Sequence, residues 1–192
     1  MVEQLLGLLG ASPVTAAVLA RVPALGLPDW YLGAGAVCAT VWNSVHGFAP
    51  AHGIRDLDVV YFDPSGTRND EVRLEAELSA LLAHLGLAVD VTNEAIVHTW
   101  YEARFGVPLD PPYSSSCDAI STWPTTATAV GVRGDDVCAP FGLDDLFGMV
   151  VRPNTTLVTP DVVAAKAARW TSVWPRLQVL GWDDGVRVDR RS

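Results

Sequence analysis

The stretch that decides the fold runs from Leu32 to Asp63, LGAGAVCATVWNSVHGFAPAHGIRDLDVVYFD. A short β-prone piece, Trp30-Tyr31-Leu32, delivers the chain to the turn Gly33-Ala34-Gly35. Ala36, Val37, Ala39, Thr40, Val41, Trp42 and Val45 then mark a helix that stops at His46-Gly47, with Gly47 just past its end. Beyond the loop FAPAHGI, residues 55–62 give the strongest strand signal in the chain, β-branched and aromatic, closed by the turn Asp63-Pro64-Ser65-Gly66.

That strand carries Asp56 and Asp58. Side chains two apart on a strand share a face, with Cα atoms roughly 7 Å apart. Two carboxylates held this way can share hard cations, which for Mg²⁺ take oxygen ligands at about 2.1 Å. Paired ions about 4 Å apart clamp the attacking and leaving oxygens of an in-line displacement. Leu57, Val59 and Val60 make the setting apolar, where two like charges are costly without a cation. The Gly33-Ala34-Gly35 turn can bring backbone N–H groups close to an anion, and the helix start behind it adds partial positive charge. About thirty residues on, Asp90 lies in the short strand Leu87–Thr92. By itself it reads as one charged residue on an edge strand. Arg55 and Arg133 are candidates to meet a triphosphate, because guanidinium groups match phosphate geometry. Lys166, the only lysine, is a further phosphate candidate, and His98 can reach the site near Asp90 or pack beside Trp100. Trp123, Trp170 and Trp174 read as core, and Asp144-Asp145 as helix capping.

Outward from this stretch, residues 1–25 show helical spacing broken at Ser12-Pro13, a serine N-cap and proline N1 pair. Asn69 can cap an acidic amphipathic helix to about Leu85, with Val72, Leu74, Leu78, Leu81, Leu82 and Leu85 inward. Asn93 can start another helix running to Phe105. Ser115 opens a short helix, and residues 126–139 suggest a hairpin turning at Arg133-Gly134-Asp135-Asp136. Thr159-Pro160-Asp161 starts a last helix, which Pro175 stops. Strand, helix, strand, helix, strand, helix argues for α/β or α+β architecture.

The 192 residues suit one domain, and 49% hydrophobic content against 18% charged supports a real core. A net charge of −9 argues against general attraction to a nucleic-acid backbone and favours a small-molecule or protein acceptor. Cys38, Cys117 and Cys138 are odd in number and lack a CxxC, which suggests buried thiols in a reducing cytoplasm, with neither disulfide nor zinc. The apolar N-terminus lacks a basic flank, carries Glu3 and is too short to span a bilayer. Asn154-Thr155-Thr156 matches a glycosylation sequon by chance.

A glycine turn opening a helix, an acid-x-acid strand about twenty residues later and a third acid on a following strand resemble the DNA polymerase β-type nucleotidyltransferase superfamily. The chain is more specifically similar to a family of bacterial nucleotidyltransferase-like proteins over roughly residues 5–182. The matching stretches are Gly33-Ala34-Gly35, Val41-Trp42, the run from Asp56 to Asp63, Asn93 with His98–Tyr101, Asp118-Ala119-Ile120, Thr128–Arg133, Ala139–Phe147 and Arg152-Pro153-Asn154. The resemblance implies an α+β, polymerase-β-like nucleotidyltransferase fold, a mixed sheet with helices on one face plus a C-terminal hairpin and helices. Residues 1–182 would form one domain, with 183–192 a frayed tail. It implies Mg²⁺, two ions held by Asp56, Asp58 and Asp90. An NTP would bind near Gly33, Ala34, Gly35, Arg55 and Arg133, and a hydroxyl acceptor on a small molecule or protein would receive the NMP group. The alternative is a module of the same fold that binds nucleotide without turnover. Two places depart from the pattern: Cys38-Ala39 stands where a basic or amide pair is usual, and Glu94 and Ile96 stand where Gln and Arg are usual.

Overall fold

The computed structural model describes residues 1–190. Helix α1 (Val2–Ala11) is followed by α2 (Pro13–Arg21), with Pro13 at its first position, and the segment Pro13–Leu25 is bent 96° from α1. Then follow β1 (Tyr31–Gly33), α3 (Ala34–His46), β2 (Asp56–Tyr61), α4 (Arg68–Leu81) and β3 (Ala88–Asn93). The second half holds α5 (Tyr101–Phe105), α6 (Ser116–Ile120), β4 (Gly131–Arg133), β5 (Asp136–Cys138), α7 (Asp144–Phe147), β6 (Val150–Val151), α8 (Pro160–Val173) and β7 (Gln178–Val179). Among the described residues no single helix is long and apolar enough to cross a membrane.

The main sheet has the order β3-β2-β1-β4-β5. β1 runs antiparallel to β2 and β4, while β2 and β3 are parallel, so the sheet is mixed. The expected hairpin is β4–β5, and it forms two strands of this sheet. Its two-residue loop begins with Gly134 in the left-handed region (φ 56°), which suits such tight turns. Residues 126–130, expected to be strand, turn instead: Ala129 N–H donates to Thr125 O, and the Thr125 and Thr128 hydroxyls bond each other. β-Branched residues here serve a hydroxyl-tied turn, a competition their side chains can win over a ladder.

α3 is buried almost throughout, and its Trp42 anchors the core. The Trp42 ring meets Trp170 of α8 edge-on at 5.8 Å and Trp174 at 5.1 Å, and its Nε1 donates to Leu146 O of α7. Trp174 Nε1 donates to Asn43 Oδ1 at 2.7 Å. This joins the C-terminal helix to the helix that follows the glycine turn.

Several expectations need correction. Thr67 rather than Asn69 caps α4, through a capping box with Asp70, so Val72 turns outward (59% exposed) and Leu81 is also exposed, while Leu74, Leu78 and Leu82 pack inward. Asn93 ends β3 instead of starting a helix. Its side chain exchanges hydrogen bonds with Asp63 N–H and O, and its N–H donates to buried Glu71. The helix expected from 93 to 105 therefore reduces to a turn of 3₁₀ helix and α5. Cys117 and Cys138 form a disulfide, and only Cys38 is a free thiol. α6 packs on β5 and brings two cysteines 21 residues apart to a Cα separation of 5.8 Å, which spacing in sequence does not reveal. The expectation of free thiols, and the argument for compartment built on it, falls with that pairing. Asn154 of the sequon is fully buried, so its amide is structural. The expected frayed tail is held as far as Arg190: Val186 N–H donates to Pro153 O, Val188 N–H to the Thr156 hydroxyl, and Arg190 pairs with Asp118. Its last two residues lie outside the described residues.

Candidate active site

Register places the acids. Gly33 of β1 pairs with Asp58 of β2, and Asp58 pairs with Asp90 of β3. Direct partners on parallel strands share a face, so Asp58 and Asp90 project together, with Asp56 two residues back on the same side of β2. The start of α3 presses on this row: a Cβ placed on Gly35 would lie 3.5 Å from Asp56 Oδ1 and 3.7 Å from Asp58 Oδ2. The Asp58 carboxyl is pushed up to about 7, by burial first and then by Asp56 and Asp90, against opposing pulls from Lys166 and the Gly35 backbone N–H.

Asp58, Asp90, Thr92, Glu94, Trp123 and Lys166, with Ala34, line a cleft of about 260 Å³. Glu94 is buried, and its carboxyl is pushed up to about 8 by burial and by Glu71 and Asp90. Both raised acids bind a proton in the fold more tightly than in the unfolded chain. The stability they support is complete below their ordinary values near pH 4 and is lost as pH rises through about 7 and 8. Thermal melts of metal-free protein should therefore fall steadily from pH 5 to pH 8.5.

α8 supplies the cations. Trp170, seated on Trp42, has Lys166 Nζ at 5.9 Å and Arg169 Cζ at 5.8 Å from its ring centroid. Lys166 thus faces the cleft beside Asp58, and Arg169 lines a small cavity with Gly35, Arg55 and Asp56. Arg169 Nε is buried without a hydrogen-bond partner among the described residues. Arg169 and the cleft position of Trp123 escaped the sequence reading, while Glu94 was noted only as a departure from the family pattern. A signal for Arg169 existed, since it stands three residues after Lys166 on one helix, the spacing that shares a face.

Other expected residues fare differently. Arg55 borders Asp56. Arg133 is not brought to the acids: on β4 it lies two residues from Gly131, the partner of Gly33, and is occupied by Asp136 (2.6 Å), Asp29 (3.8 Å) and the Tyr31 ring. The glycine turn is also less open than expected. Ala34 sits in the left-handed region (φ 45°) with its N–H donated to Val130 O, and the Gly35 N–H is directed to Asp58. Such strain costs of order 1 kcal/mol and collects at functional sites. Gly33 has no room for a side chain, because a Cβ would run into the Trp123 indole. Cys38 and Ala39 are buried on the core side of α3, so the departure there does not face the cleft. His98 is exposed, and Asp145 binds Arg152 (2.9 Å) and the Thr126 hydroxyl.

Trp123 is held from behind. Asn154 Nδ2 donates to Ser121 O at 2.7 Å and to Trp123 O at 2.9 Å. Asn154→Ala leaves two buried carbonyls short of a donor and should cost about 2 kcal/mol in urea unfolding.

As for metal, no three carboxylate, imidazole or thiolate side chains among the described residues converge tightly enough to cage one ion. Mg²⁺ needs no such cage, since it is usually bound by one or two carboxylates together with substrate phosphates and water. Three crowded oxygen-donor acids, one with its proton affinity raised by burial and then by its two neighbours, fit that kind of open site.

No curated protein matches the chain significantly. Among solved structures it resembles one whose NMR structure is described as revealing a CCA-adding enzyme head domain. The similarity is 27% identity and a TM-score of 0.73, covering 93% of this chain and 95% of that one. The family model described as Nucleotidyltransferase matches residues 20–179, which span the acid row, the cleft and α8. The chain belongs to the nucleotidyltransferase family, whose general chemistry is the transfer of a nucleoside monophosphate group.

Proposed function

We propose that this chain moves an NMP group from an Mg²⁺-bound NTP to a hydroxyl acceptor, using Asp56, Asp58 and Asp90. The observation that carries the reading is the lateral row Gly33–Asp58–Asp90 across three strands, with Lys166 facing it from α8. Asp56 and Asp58 would hold the magnesium, with Asp90 completing the site, and the bound ions would neutralise the charge of the triphosphate.

The chain's own groups do the rest. Lys166 draws the triphosphate into the cleft, and Arg169 and Arg55 add positive charge on the Asp56 side. Trp123 offers a planar wall for a base or sugar, locked in place by Asn154. Asp90 accepts the proton of the acceptor hydroxyl at a carboxylate oxygen. The acceptor oxygen then bonds to the α-phosphorus while the α–β bridging bond breaks, and pyrophosphate leaves with the electron pair. Catalysis is chiefly positioning and charge neutralisation. Because the Ala34 and Gly35 amides are already engaged, the cations of α8 carry the role first expected of the glycine turn.

The test is incubation with α-phosphate-labelled NTPs, Mg²⁺ and a panel of alcohols. Release of pyrophosphate with label on the acceptor supports the reading. Orthophosphate and NDP without pyrophosphate would make the chain a phosphatase, NDP with the phosphate carried onto the alcohol would make it a kinase, and NTP binding without turnover would make it a nucleotide-binding module.

A further inference from the structure

Asp90 and Thr92 are a shared wall. On one side they border the cleft with Asp58, Lys166 and Trp123. On the other they border a groove of about 640 Å³, between α4 and the segment 96–104, which sits along the exposed edge of β3. Whatever occupies this groove touches the third acid of the row from the side away from Asp58. Resting on the nucleotidyl-transfer reading, we propose that the groove seats the acceptor, and that the acceptor is a small alcohol bearing an anionic group, phosphate or carboxylate.

The charges of the groove set that class. Arg68 of α4 is paired with buried Glu71 at 2.6 Å, and the other oxygen of Glu71 holds the Asn93 N–H at 2.7 Å, so this pair is spent on closing the β3 edge. Glu75, from α4, and Asp90, from β3, add negative charge. Arg104, on the facing wall, has no carboxylate within ion-pair distance among the described residues; its guanidinium lies over the Trp100 ring at 5.7 Å and Phe105 at 5.4 Å. A guanidinium steadied on aromatic faces keeps its N–H fork for an anion. The groove is therefore asymmetric, with an uncommitted cation on one wall and the proton-accepting carboxylate on its floor. An alcohol with an anion at one end and a hydroxyl at the other is oriented by both. A polynucleotide acceptor fits poorly, since the chain as a whole carries −9.

Glycerol, glycerate and glycerol 3-phosphate are matched probes: one neutral, one carboxylated and one phosphorylated. Calorimetric titration without nucleotide, beside pyrophosphate release with Mg²⁺ and NTP, gives two independent readouts. At least one anionic probe should bind about tenfold more tightly than glycerol, and which one does identifies the anion. Arg104→Glu should erase that preference, while Glu75→Gln, which removes a carboxylate from the α4 wall, should strengthen it two- to threefold. A gain in the second variant cannot come from misfolding. An anion preference lost in Arg104→Glu without pyrophosphate from any nucleotide would keep the groove and sink the transfer reading. Equal binding of all three probes, no binding of any, or a preference that survives Arg104→Glu would overturn the groove assignment.

Discussion

Asp58→Asn is expected to melt higher than the wild type at pH 8 without metal, and to lose at least about 1,000-fold in nucleotidyl transfer. Both effects have one cause. The Asp58 carboxyl is crowded by burial, Asp56 and Asp90, so at pH 8 the fold holds an ionised group it would rather protonate. A shift from an ordinary 3.8 to about 7 corresponds to roughly 2–4 kcal/mol once solvent access is allowed for. In a chain of this size that is a rise of about 5–10 °C in Tm. At pH 5 the wild-type carboxyl is already protonated, so the gap between the two proteins should close. Magnesium at millimolar concentration should raise the wild-type Tm and leave the variant's nearly unchanged. A variant that melts lower at pH 8, or that keeps full activity, would remove Asp58 from the site.

Lys166→Glu should raise the KM for NTP at least about 100-fold, while Lys166→Arg stays within about tenfold of the wild type. Lys166 is the cleft cation that opposes the rise of the Asp58 proton affinity. Reversing its charge removes a phosphate contact and adds a fourth carboxylate to three. Its position depends on Trp170 resting on Trp42, so the substitution leaves the packing beneath it intact. Initial rates across an NTP titration give the KM directly. An unchanged KM would mean that the triphosphate lies elsewhere.

What the sequence revealed, and what it hid, follows from the range of each interaction. The turn, the helix after it and the Asp-x-Asp strand were legible because their signals are local: glycine punctuation, apolar spacing and alternation within about thirty residues. Asp90 was legible because parallel pairing of neighbouring strands is the usual result of strand–helix–strand order. Arg133 misled because its charge says nothing of its partners, and Asp136 and Tyr31 claim it from two different strands. The disulfide, the buried Asn154 and the cleft role of Trp123 all depend on contacts between segments 20 to 90 residues apart. The glycine turn was found correctly but read too simply. Its amides are engaged by Val130 and Asp58, and its main service is to let Trp123 and the acid row approach closely.

The most direct test of the two-cation, three-acid site is a crystal structure with Mn²⁺ and a non-hydrolysable NTP, read by anomalous scattering. Manganese peaks between Asp56 and Asp58, within reach of Asp90, with the triphosphate beside Lys166, are the predicted result. Manganese or triphosphate bound away from this row, with the three carboxylates left bare, would contradict it.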